Sequence, residues 1–413
     1  MNSKKIIALI LSGLLTCATF YGCNNNSNTP ENTDTNTDTE VTEQDNSEPA
    51  PTDTNVPTNS DAPTNNEVSE DVLVTPVPDE SDAKAEVEVV LPITSYKSIL
   101  TGLETTEELS KQRPVAIMFN NLKASLPQHG IGEMEIVYEA IVEGSITRLM
   151  GVVTDWANLP TLGSIRSSRD YYIDFADSHN AIYVHAGGSE LAYGVLRSRK
   201  TNNIDGTNGT YASTNAFYRN RDRLNKGFSL EHTLFTDGPA LAKAIEGNKY
   251  TTVLNEGYTS PLLFLTADLS FTGEQAEYIY IPYSNYAQSY FDYDKESKLY
   301  LKGQYLNAKS SLDKHDSPHI DGNTNQQLSF KNILILYVSY STVDNAGRQA
   351  LKFTGNGKGY YFSLGKMREI CWEKESRTSP YTLYEADGTT KLLITQGKTY
   401  IGMVKPGTNI VYK

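Results

Sequence analysis

The sequence contains few cysteines: three in 413 residues, at positions 17, 23 and 371. Two of them lie in the first 23 residues, so the rest of the chain holds one thiol and cannot form an internal disulfide. Zinc sites built from two or four cysteines are excluded for the same reason. Stability must come from apolar and aromatic packing, to which 27 tyrosines can contribute.

The chain also has little positive charge: 36 Lys+Arg stand against 50 Asp+Glu, giving a formal net charge of −14. The imbalance is local, because residues 24–90 contain 17 acidic residues and one base, Lys84. From residue 91 onward, acids and bases number 33 each. No basic footprint remains for nucleic acid, so nucleic-acid binding is not expected.

The apolar run near the start, Ile6–Phe20, is too short to span a bilayer comfortably. Lys4 and Lys5 precede it, which is typical of a signal peptide. Gly22-Cys23 at its end resembles a bacterial lipobox, and Cys17, inside the run, is a poorer candidate. We therefore predict a lipoprotein signal peptide over residues 1–22 and lipid attachment at Cys23. Acyl chains would anchor the protein to membrane lipid on the extracytoplasmic face. The alternative is plain secretion with a spare cysteine.

Residues 23–92 are rich in Asn, Thr, Pro and acidic residues, and 24–90 contain no aromatic residue. Such a segment cannot bury enough apolar surface to offset the entropy of ordering, so we predict a disordered tether.

Two domains are predicted after the tether, giving an α+β fold. Residues 93–254 mix buried-strand runs with helical patterns at 169–176, 189–199 and 239–246, which indicates a mixed α/β domain. Residues 255–413 show short strand-like runs separated by Asp-Gly and Asn-Gly turns. That texture predicts a mainly antiparallel β domain.

A first candidate site lies at Arg166 and Arg169, around the start of the predicted helix at 169–176. Two arginines beside a helix N-terminus can bind a carboxylate or phosphate. Ser167 or Ser168 would serve as the N-cap. The alternative is that both arginines pair with nearby acids such as Asp170, Asp174 or Asp177.

A second candidate is the segment 184–190, which reads as strand, glycine turn and helix N-terminus. His185 stands at the strand end, and Gly187, Gly188 and Ser189 form the turn. The turn could present backbone N–H groups to an anion. The two helix N-termini could converge on one anionic group. The alternative is a histidine that caps the turn.

Glu139 and Glu143 are candidates for a pair of catalytic carboxylates. On one strand they would share a face about 13 Å apart, too far for the pair of a glycoside hydrolase. Either could act with another acid, or pair with Arg148. His232, which follows a basic stretch, could join the anion site.

No cofactor signature is present. His315 and His319 are four residues apart, but Pro318 and Gly322 favour a loop, so a metal site is not predicted there.

Several segments together resemble the YerB-like lipoproteins, a bacterial family of two successive domains of unknown function. They include RPVAIMFNN at 113–121, EIVYEAIVEGSITR at 135–148, LGSIRSSRDYY at 162–172, AIYVHAGGS at 181–189, EHTLFT at 231–236, HIDG at 319–322 and GKGYYFSLGK at 357–366. The resemblance implies a cell-envelope lipoprotein with two domains, and suggests an association with peptidoglycan synthesis. It implies no activity.

These observations favour a non-catalytic envelope binding or adaptor protein that holds a wall polymer through Arg166, Arg169 and His185. One alternative is a peptidoglycan hydrolase or lytic enzyme using Glu143 or Glu139 with His185 or His232. Another is a protein partner of wall synthases, docking through the tyrosine-rich β domain.

Overall fold

The computed structural model describes residues 95–266, 271–306 and 315–413. The predicted signal peptide, Cys23 and the tether lie outside these ranges. The described residues belong to one compact unit, Val87–Lys413. Few helices and many strands in several sheets confirm the predicted α+β class.

The α-helices are α1 (Glu107–Lys111), α2 (Asp170–Ser178), α3 (Glu190–Arg199), α4 (Tyr211–Thr214), α5 (Arg221–Asn225) and α6 (Gly238–Gly247). The strands of the first half are β1 (Tyr96–Lys97), β2 (Glu104–Thr105), β3 (Val115–Asn120), β4 (Ile136–Ile141), β5 (Thr147–Val153), β6 (Leu162–Gly163), β7 (Ile182–His185), β8 (Asn203–Asp205), β9 (Tyr218–Arg219) and β10 (Leu234–Thr236). Those of the second half are β11 (Leu263–Phe264), β12 (Glu274–Gln275), β13 (Tyr278–Pro282), β14 (Ala287–Asp294), β15 (Leu299–Leu306), β16 (Ser329–Phe330), β17 (Asn332–Tyr337), β18 (Ser339–Thr342), β19 (Gln349–Lys352), β20 (Gly355–Ser363), β21 (Lys366–Lys374), β22 (Thr382–Glu385), β23 (Leu393–Ile394), β24 (Thr399–Val404) and β25 (Val411–Tyr412).

An eleven-stranded mixed sheet forms the centre of the fold. Its order is β12-β21-β20-β17-β24-β4-β5-β3-β7-β8, with β22 paired to β21. Strand β24, near the end of the chain, runs parallel to both of its neighbours, β17 and β4. Strands β3, β4 and β5 are buried along their whole length, as expected for strands covered on both faces. Both sides of the predicted boundary at residues 254 and 255 thus contribute to one sheet, and that boundary stays a prediction.

A five-stranded antiparallel sheet, β16-β15-β14-β13-β25, covers part of the core. One of its faces carries four packed tyrosines, Tyr278, Tyr280, Tyr290 and Tyr305. The opposite face carries Phe291 and its cross-strand partner Lys302. A lysine on an inward face is unusual, and its partners are described below.

The three helices predicted from periodicity are α2, α3 and α6, each within one or two residues of the expected ends. The N-cap expected at Ser167 or Ser168 is wrong, because Arg169 occupies the cap position of α2 without a side-chain capping bond. Helix α2 is instead held by its tyrosines. The Tyr172 hydroxyl donates to the Arg148 carbonyl at 2.6 Å, which fixes the helix against the start of β5.

Candidate functional site

Three arginines lie close together at one end of the central sheet; we call Arg148, Arg166 and Arg169 the arginine cluster. Arg148 is the second residue of β5. The other two belong to the segment that joins β6 to α2. That segment runs beside β3, since the backbone N–H of Arg166 donates to the Met118 carbonyl at 3.0 Å. The fold of the segment, rather than helix α2 itself, therefore positions the two arginines.

Two of the three arginines form ion pairs with acids of the same chain. Arg169 makes a bidentate contact with Glu143, at 2.5 Å from Nε to Oε1 and 2.7 Å from Nη2 to Oε2. Arg166 Nη2 lies 2.5 Å from Oε2 of Glu231. The idea that both arginines pair with acids is correct, but the acids are not those considered from the sequence.

Those other acids have different partners. Asp170 and Asp174 bind Arg377, and Asp177 binds Arg199. These three acids are therefore occupied by Arg377 and Arg199.

Arg148 is the buried member of the cluster. Its Nη1 donates to the Ser167 carbonyl at 2.6 Å, and the described residues provide no carboxylate in ion-pair contact with it. Burial lowers the pKa of Arg148 to about 10, and the charges of Arg169 and Arg166 act in the same direction. Three guanidinium groups face two carboxylates, so the cluster keeps an excess of positive charge.

Glu143 does not have the environment that was assumed for it. The predicted strand through residue 143 is wrong, because β4 ends at Ile141 and Glu143 begins a short 3-10 turn, Glu143–Ser145. The 13 Å strand spacing to Glu139 therefore has no basis in the structure. Burial would raise the pKa of Glu143, but the hydrogen bond and charge of Arg169 outweigh it and lower the pKa.

His232 lies beside the arginine cluster, because it contacts Glu231, the partner of Arg166. It lies in a 3-10 turn, Leu230–His232, and its Nε2 is 3.6 Å from Oε1 of Glu231. Its Nδ1 is 2.9 Å from the Asn120 amide nitrogen, which donates, so Nε2 carries the ring proton. Burial lowers the pKa of His232, and the charge of Glu231 opposes this shift. The neutral ring of His232 thus helps to position Glu231 beside Arg166.

The segments that precede the two helices α2 and α3 are paired along their backbones. The Ser168 N–H donates to the Gly187 carbonyl at 2.8 Å, and the Ala186 N–H donates to the Arg166 carbonyl at 3.0 Å. The glycine turn before α3 is therefore paired, backbone to backbone, with the segment that carries the arginines. A bridge between Ser168 and Gly188 continues this pairing.

Both ring nitrogens of His185 are engaged by groups outside the arginine cluster. Its ring is buried, with Nδ1 2.8 Å from the Gly187 carbonyl and Nε2 3.2 Å from the Asn203 side-chain oxygen. Burial lowers the pKa of His185, and these acceptors, with the charge of Asp205, oppose the shift. The geometry matches the alternative of a histidine that holds the turn.

The N–H groups of the glycine turn are partly occupied as well. Asp205 Oδ1 accepts from the Gly187 N–H at 2.8 Å, and Ser189 Oγ caps α3 by accepting from the Ala192 N–H. The turn stabilises α3 and β8, and the partly exposed cationic groups beside it belong to Arg166 and Arg169.

A second polar cluster is fully buried between the two sheets, and sequence reasoning missed most of it. We call it the buried network; its members are Asn121, Gln128, Glu139, Thr147, Tyr283, Ser289, Lys302, His319 and Tyr400. At its centre, Lys302 Nζ lies 3.6 Å from Oε2 of Glu139, and both side chains are at most 1% exposed.

The carboxylate oxygens of Glu139 are the acceptors in all of the hydrogen bonds described for its side chain. Tyr400 donates to Oε2 at 2.6 Å, Ser289 to the same oxygen at 3.0 Å, and Thr147 to Oε1 at 2.7 Å. A carboxylate surrounded by donors is satisfied in its ionised form. Burial and the charge of Glu139 raise the pKa of Tyr400 well above its usual range, which keeps that hydroxyl a donor.

Lys302 and His319 complete the network. Lys302 Nζ donates to Ser289 Oγ, Gln304 Oε1 and His319 Nδ1, at 3.1, 3.3 and 3.2 Å. Because a lysine can only donate, His319 accepts at Nδ1, and its Nε2–H donates to Gln128 Oε1 at 2.8 Å. Burial lowers the pKa of His319 well below its usual range, and the charge of Lys302 adds to this effect.

One sequence signal could have revealed this network. Tyr300, Lys302, Gln304 and Leu306 alternate along β15, so the lysine and glutamine stand on the same face as two apolar residues. A lysine at such a position indicates a buried counter-charge. Glu139, in the middle of a run of buried residues, was the matching signal in the first half.

The two histidines considered for a metal are separated in the structure. His319 belongs to the buried network, whereas His315 Nδ1 lies 2.8 Å from Asp292 and its ring stacks on Tyr278. In the described residues, no group of three or more His, Cys, Asp or Glu side chains is arranged to hold a metal ion.

The central sheet is built from strands of both halves of the chain. Two models of one family match the chain: "Protein of unknown function (DUF3048) N-terminal domain" at residues 100–251, and the corresponding C-terminal domain at residues 279–401. The chain belongs to this family. It is 29% identical to "Putative lipoprotein YerB" of Bacillus subtilis (strain 168) over 315 residues, which are 75% of this chain and 86% of the relative.

A solved structure supports the same conclusion. The crystal structure of the YerB protein from Bacillus subtilis aligns with a TM-score of 0.63 and 27% identity. The alignment covers 76% of this chain and 99% of the other. The resemblance to YerB-like proteins inferred from sequence motifs is thereby confirmed. None of the helices in the described ranges is long and apolar enough to cross a membrane.

Proposed function

We propose that this protein is a non-catalytic binding or adaptor lipoprotein of the cell envelope, held at the extracytoplasmic face by lipid on Cys23. Its arginine cluster would bind a carboxylate or phosphate, supplied by a wall polymer such as peptidoglycan or by a wall-synthesis protein. The observation that carries the proposal is the Arg166–Glu231 pair at the edge of the cluster.

In this pair, an external anion could take the place of Glu231 as the partner of Arg166. The Glu231 side chain is 49% exposed, whereas Arg166 is 20% exposed. A half-exposed ion pair contributes little stability, on the order of 0–1 kcal/mol. An external anion can therefore replace Glu231 at small cost and interact with the excess positive charge of the arginine cluster.

The environment of the acids argues against the hydrolase alternative. A general acid needs a pKa near the working pH. Arg169 instead lowers the pKa of Glu143. Glu139 is buried, and its oxygens accept hydrogen bonds from groups inside the protein. Neither carboxyl has the environment that acid–base chemistry on a polymer requires.

The test uses purified protein with cell-wall sacculi, measuring the protein in the pellet and the fragments released to the supernatant. Arg166→Ala should weaken binding about tenfold or more, since a charge-assisted hydrogen bond contributes roughly 1.5–3 kcal/mol. Glu231→Gln should strengthen binding, because it removes the competing carboxylate. Arg197→Ala, which removes the same charge from an exposed position on α3, is the matched control and should have no effect.

Two results would contradict the proposal. Binding that is unchanged in both Arg166→Ala and Glu231→Gln would exclude the arginine cluster. Release of defined fragments that stops in a folded Glu143→Gln variant would make the protein an enzyme.

A further inference from the structure

A groove of about 570 Å³ lies at a gap in the central sheet, where β17 leaves its place between β20 and β24. Strand β17 pairs with β20 as far as Gly359, and the chain then continues into β18, which pairs with β19 from Lys352. Residues 353–358 on one arm therefore face only residues 337–338 on the other, so the two arms must separate. The groove occupies this separation, and its volume is within the range of ligand sites.

Strand β20 continues past the gap with a partner on one side only. Residues Gly355 to Lys358 pair with β21 from Lys374 to Cys371. On the other side, the described residues provide no strand beside them, because β17 is the second neighbour of β20 and has already left. An unpaired strand edge is a template on which another extended chain can pair.

This edge directs the backbone groups of Asn356 toward the groove. The Val338 N–H donates to the Val404 carbonyl of β24 at 2.8 Å. Backbone groups of successive residues in a strand point to opposite sides, so Tyr337 directs its groups toward β20. Lys358 stands opposite Tyr337, one step beyond the last pair of the ladder, and directs its groups toward β17. Asn356, two residues earlier, points the same way, where β17 is no longer beside it.

Trp372 closes the bottom of the gap. Its ring crosses from β21 over Gly357, where a Cβ atom would meet the indole at 2.6 Å. Its Nε1 donates to the Tyr337 carbonyl at 3.2 Å, so the ring reaches the end of β17. Pro406 and Gly407, in the turn that follows β24, line the groove as well. The buried indole thus holds the two sides of the gap in place and leaves the space above it open.

The groove carries positive charge and no acid. Lys352 and Lys358 line it, both side chains are exposed, and none of the residues that line it is acidic. Neither lysine forms an ion pair within the described part of the chain. A ligand that places carboxylates at the rim therefore gains two attractions and meets no competing acid in the lining.

We propose that this groove binds an extended acidic peptide segment of a partner protein, which adds as a strand to the open edge of β20. The N–H and the carbonyl of Asn356 bond to the backbone of the peptide, and its carboxylates pair with Lys352 and Lys358. In strand addition, main-chain hydrogen bonds supply affinity and side-chain contacts supply specificity. The inference does not depend on the proposed anion site at the arginine cluster.

The probe is a hexapeptide of alternating glutamate and valine with blocked termini and a fluorescent label, titrated with the full chain by anisotropy. A peptide of alternating lysine and valine should bind at least about tenfold more weakly, because both attractions become repulsions. The acidic peptide methylated on all its backbone nitrogens keeps its charges but cannot donate hydrogen bonds. It should also bind about tenfold more weakly than the unmethylated peptide.

Two variants test the groove itself. Asn356→Pro removes the N–H that points to the groove and keeps the pairing with β21, so binding should weaken about tenfold. Lys352→Gln/Lys358→Gln should weaken binding about fivefold, as expected for two exposed ion pairs. The matched control is Lys366→Gln/Lys391→Gln, which removes two exposed lysines outside the groove and should leave binding unchanged.

Equal affinity for the acidic and basic peptides, or no binding of either at millimolar concentration, would overturn the proposal. Equal affinity for the methylated peptide would show attraction to charge without strand addition, which also overturns it. Loss of binding in Arg166→Ala would place the peptide on the arginine cluster instead, so the two sites are distinguishable. If Asn356→Pro does not fold, the methylated peptide on the wild-type protein still decides the question.

Discussion

Removing the Lys302 ammonium should destabilise the protein strongly, because it leaves Glu139 as a buried carboxylate without its counter-charge. The two groups are 3.6 Å apart. At an effective dielectric constant of about 20, unit charges at that distance attract by roughly 4–5 kcal/mol. Breaking a buried pair by removing one partner costs about 3–5 kcal/mol, so we expect that loss in Lys302→Met.

The expected change in melting temperature follows from the size of the folded unit. An unfolding entropy of about 2.1 cal/mol/K per residue, over roughly 320 residues, gives about 0.7 kcal/mol/K. The loss in Lys302→Met then corresponds to a decrease of roughly 4–8 °C. Lys358→Met, at an exposed position in β20, is the control and should stay within about 0.5 kcal/mol of the wild type.

The assay is urea unfolding followed by tryptophan fluorescence. Trp156 and Trp372 are both buried, one in each half of the chain. The double variant Glu139→Gln/Lys302→Met should lose less stability than the two single variants added together, since it removes both charges. A cost below about 1 kcal/mol for Lys302→Met, or strictly additive losses, would refute the assignment of a charged pair.

Two further predictions concern protonation and anchoring. Burial lowers the pKa of five histidines, His129, His179, His185, His232 and His319, and that of His179 to about 3. Between pH 6.5 and 5 the unfolded chain therefore binds more protons than the folded chain. The free energy of unfolding should decrease as the pH is lowered, by up to about 1.4 kcal/mol per pH unit for each histidine that stays neutral in the folded state. Urea titrations should show this slope, reduced by about one proton in His179→Gln; an identical slope in both would contradict the assignment. Cys23→Ser should move the protein from the membrane fraction to the medium or the soluble extracytoplasmic fraction; if the variant stays membrane-bound, lipid on Cys23 is not the anchor.

Local patterns in the sequence predicted the helices and strands well. They predicted poorly which side chains contact each other across the fold. Helices α2, α3 and α6 could be identified because each has a run of apolar residues at helical spacing. Glu143 was misplaced because a glycine turn ends β4 two residues earlier than the apolar pattern indicates. The Glu139–Lys302 pair joins residues more than 160 positions apart, and no local pattern can encode such a contact.

The arginine site illustrates the same limit. Arg166 and Arg169 were identified from two arginines beside a helix N-terminus, and that terminus was expected to converge with the glycine turn on one anionic group. Their partners, Glu231 and Glu143, come from turns whose positions depend on the whole sheet. His185 was predicted to contribute to the same site, but Gly187 and Asn203 already occupy both of its ring nitrogens.

The position of β24 has a consequence for the order of events during synthesis. More than 250 residues separate the end of β4, at Ile141, from the start of β24, at Thr399. At roughly 5–20 residues per second, the ribosome needs about 13–50 seconds to make that interval. Throughout it, β4 and later β17 have an unpaired edge, which is an aggregation hazard for any chain. The last strand of the central sheet to be made is thus the one that closes it, and a chain truncated before Thr399 would keep both edges open.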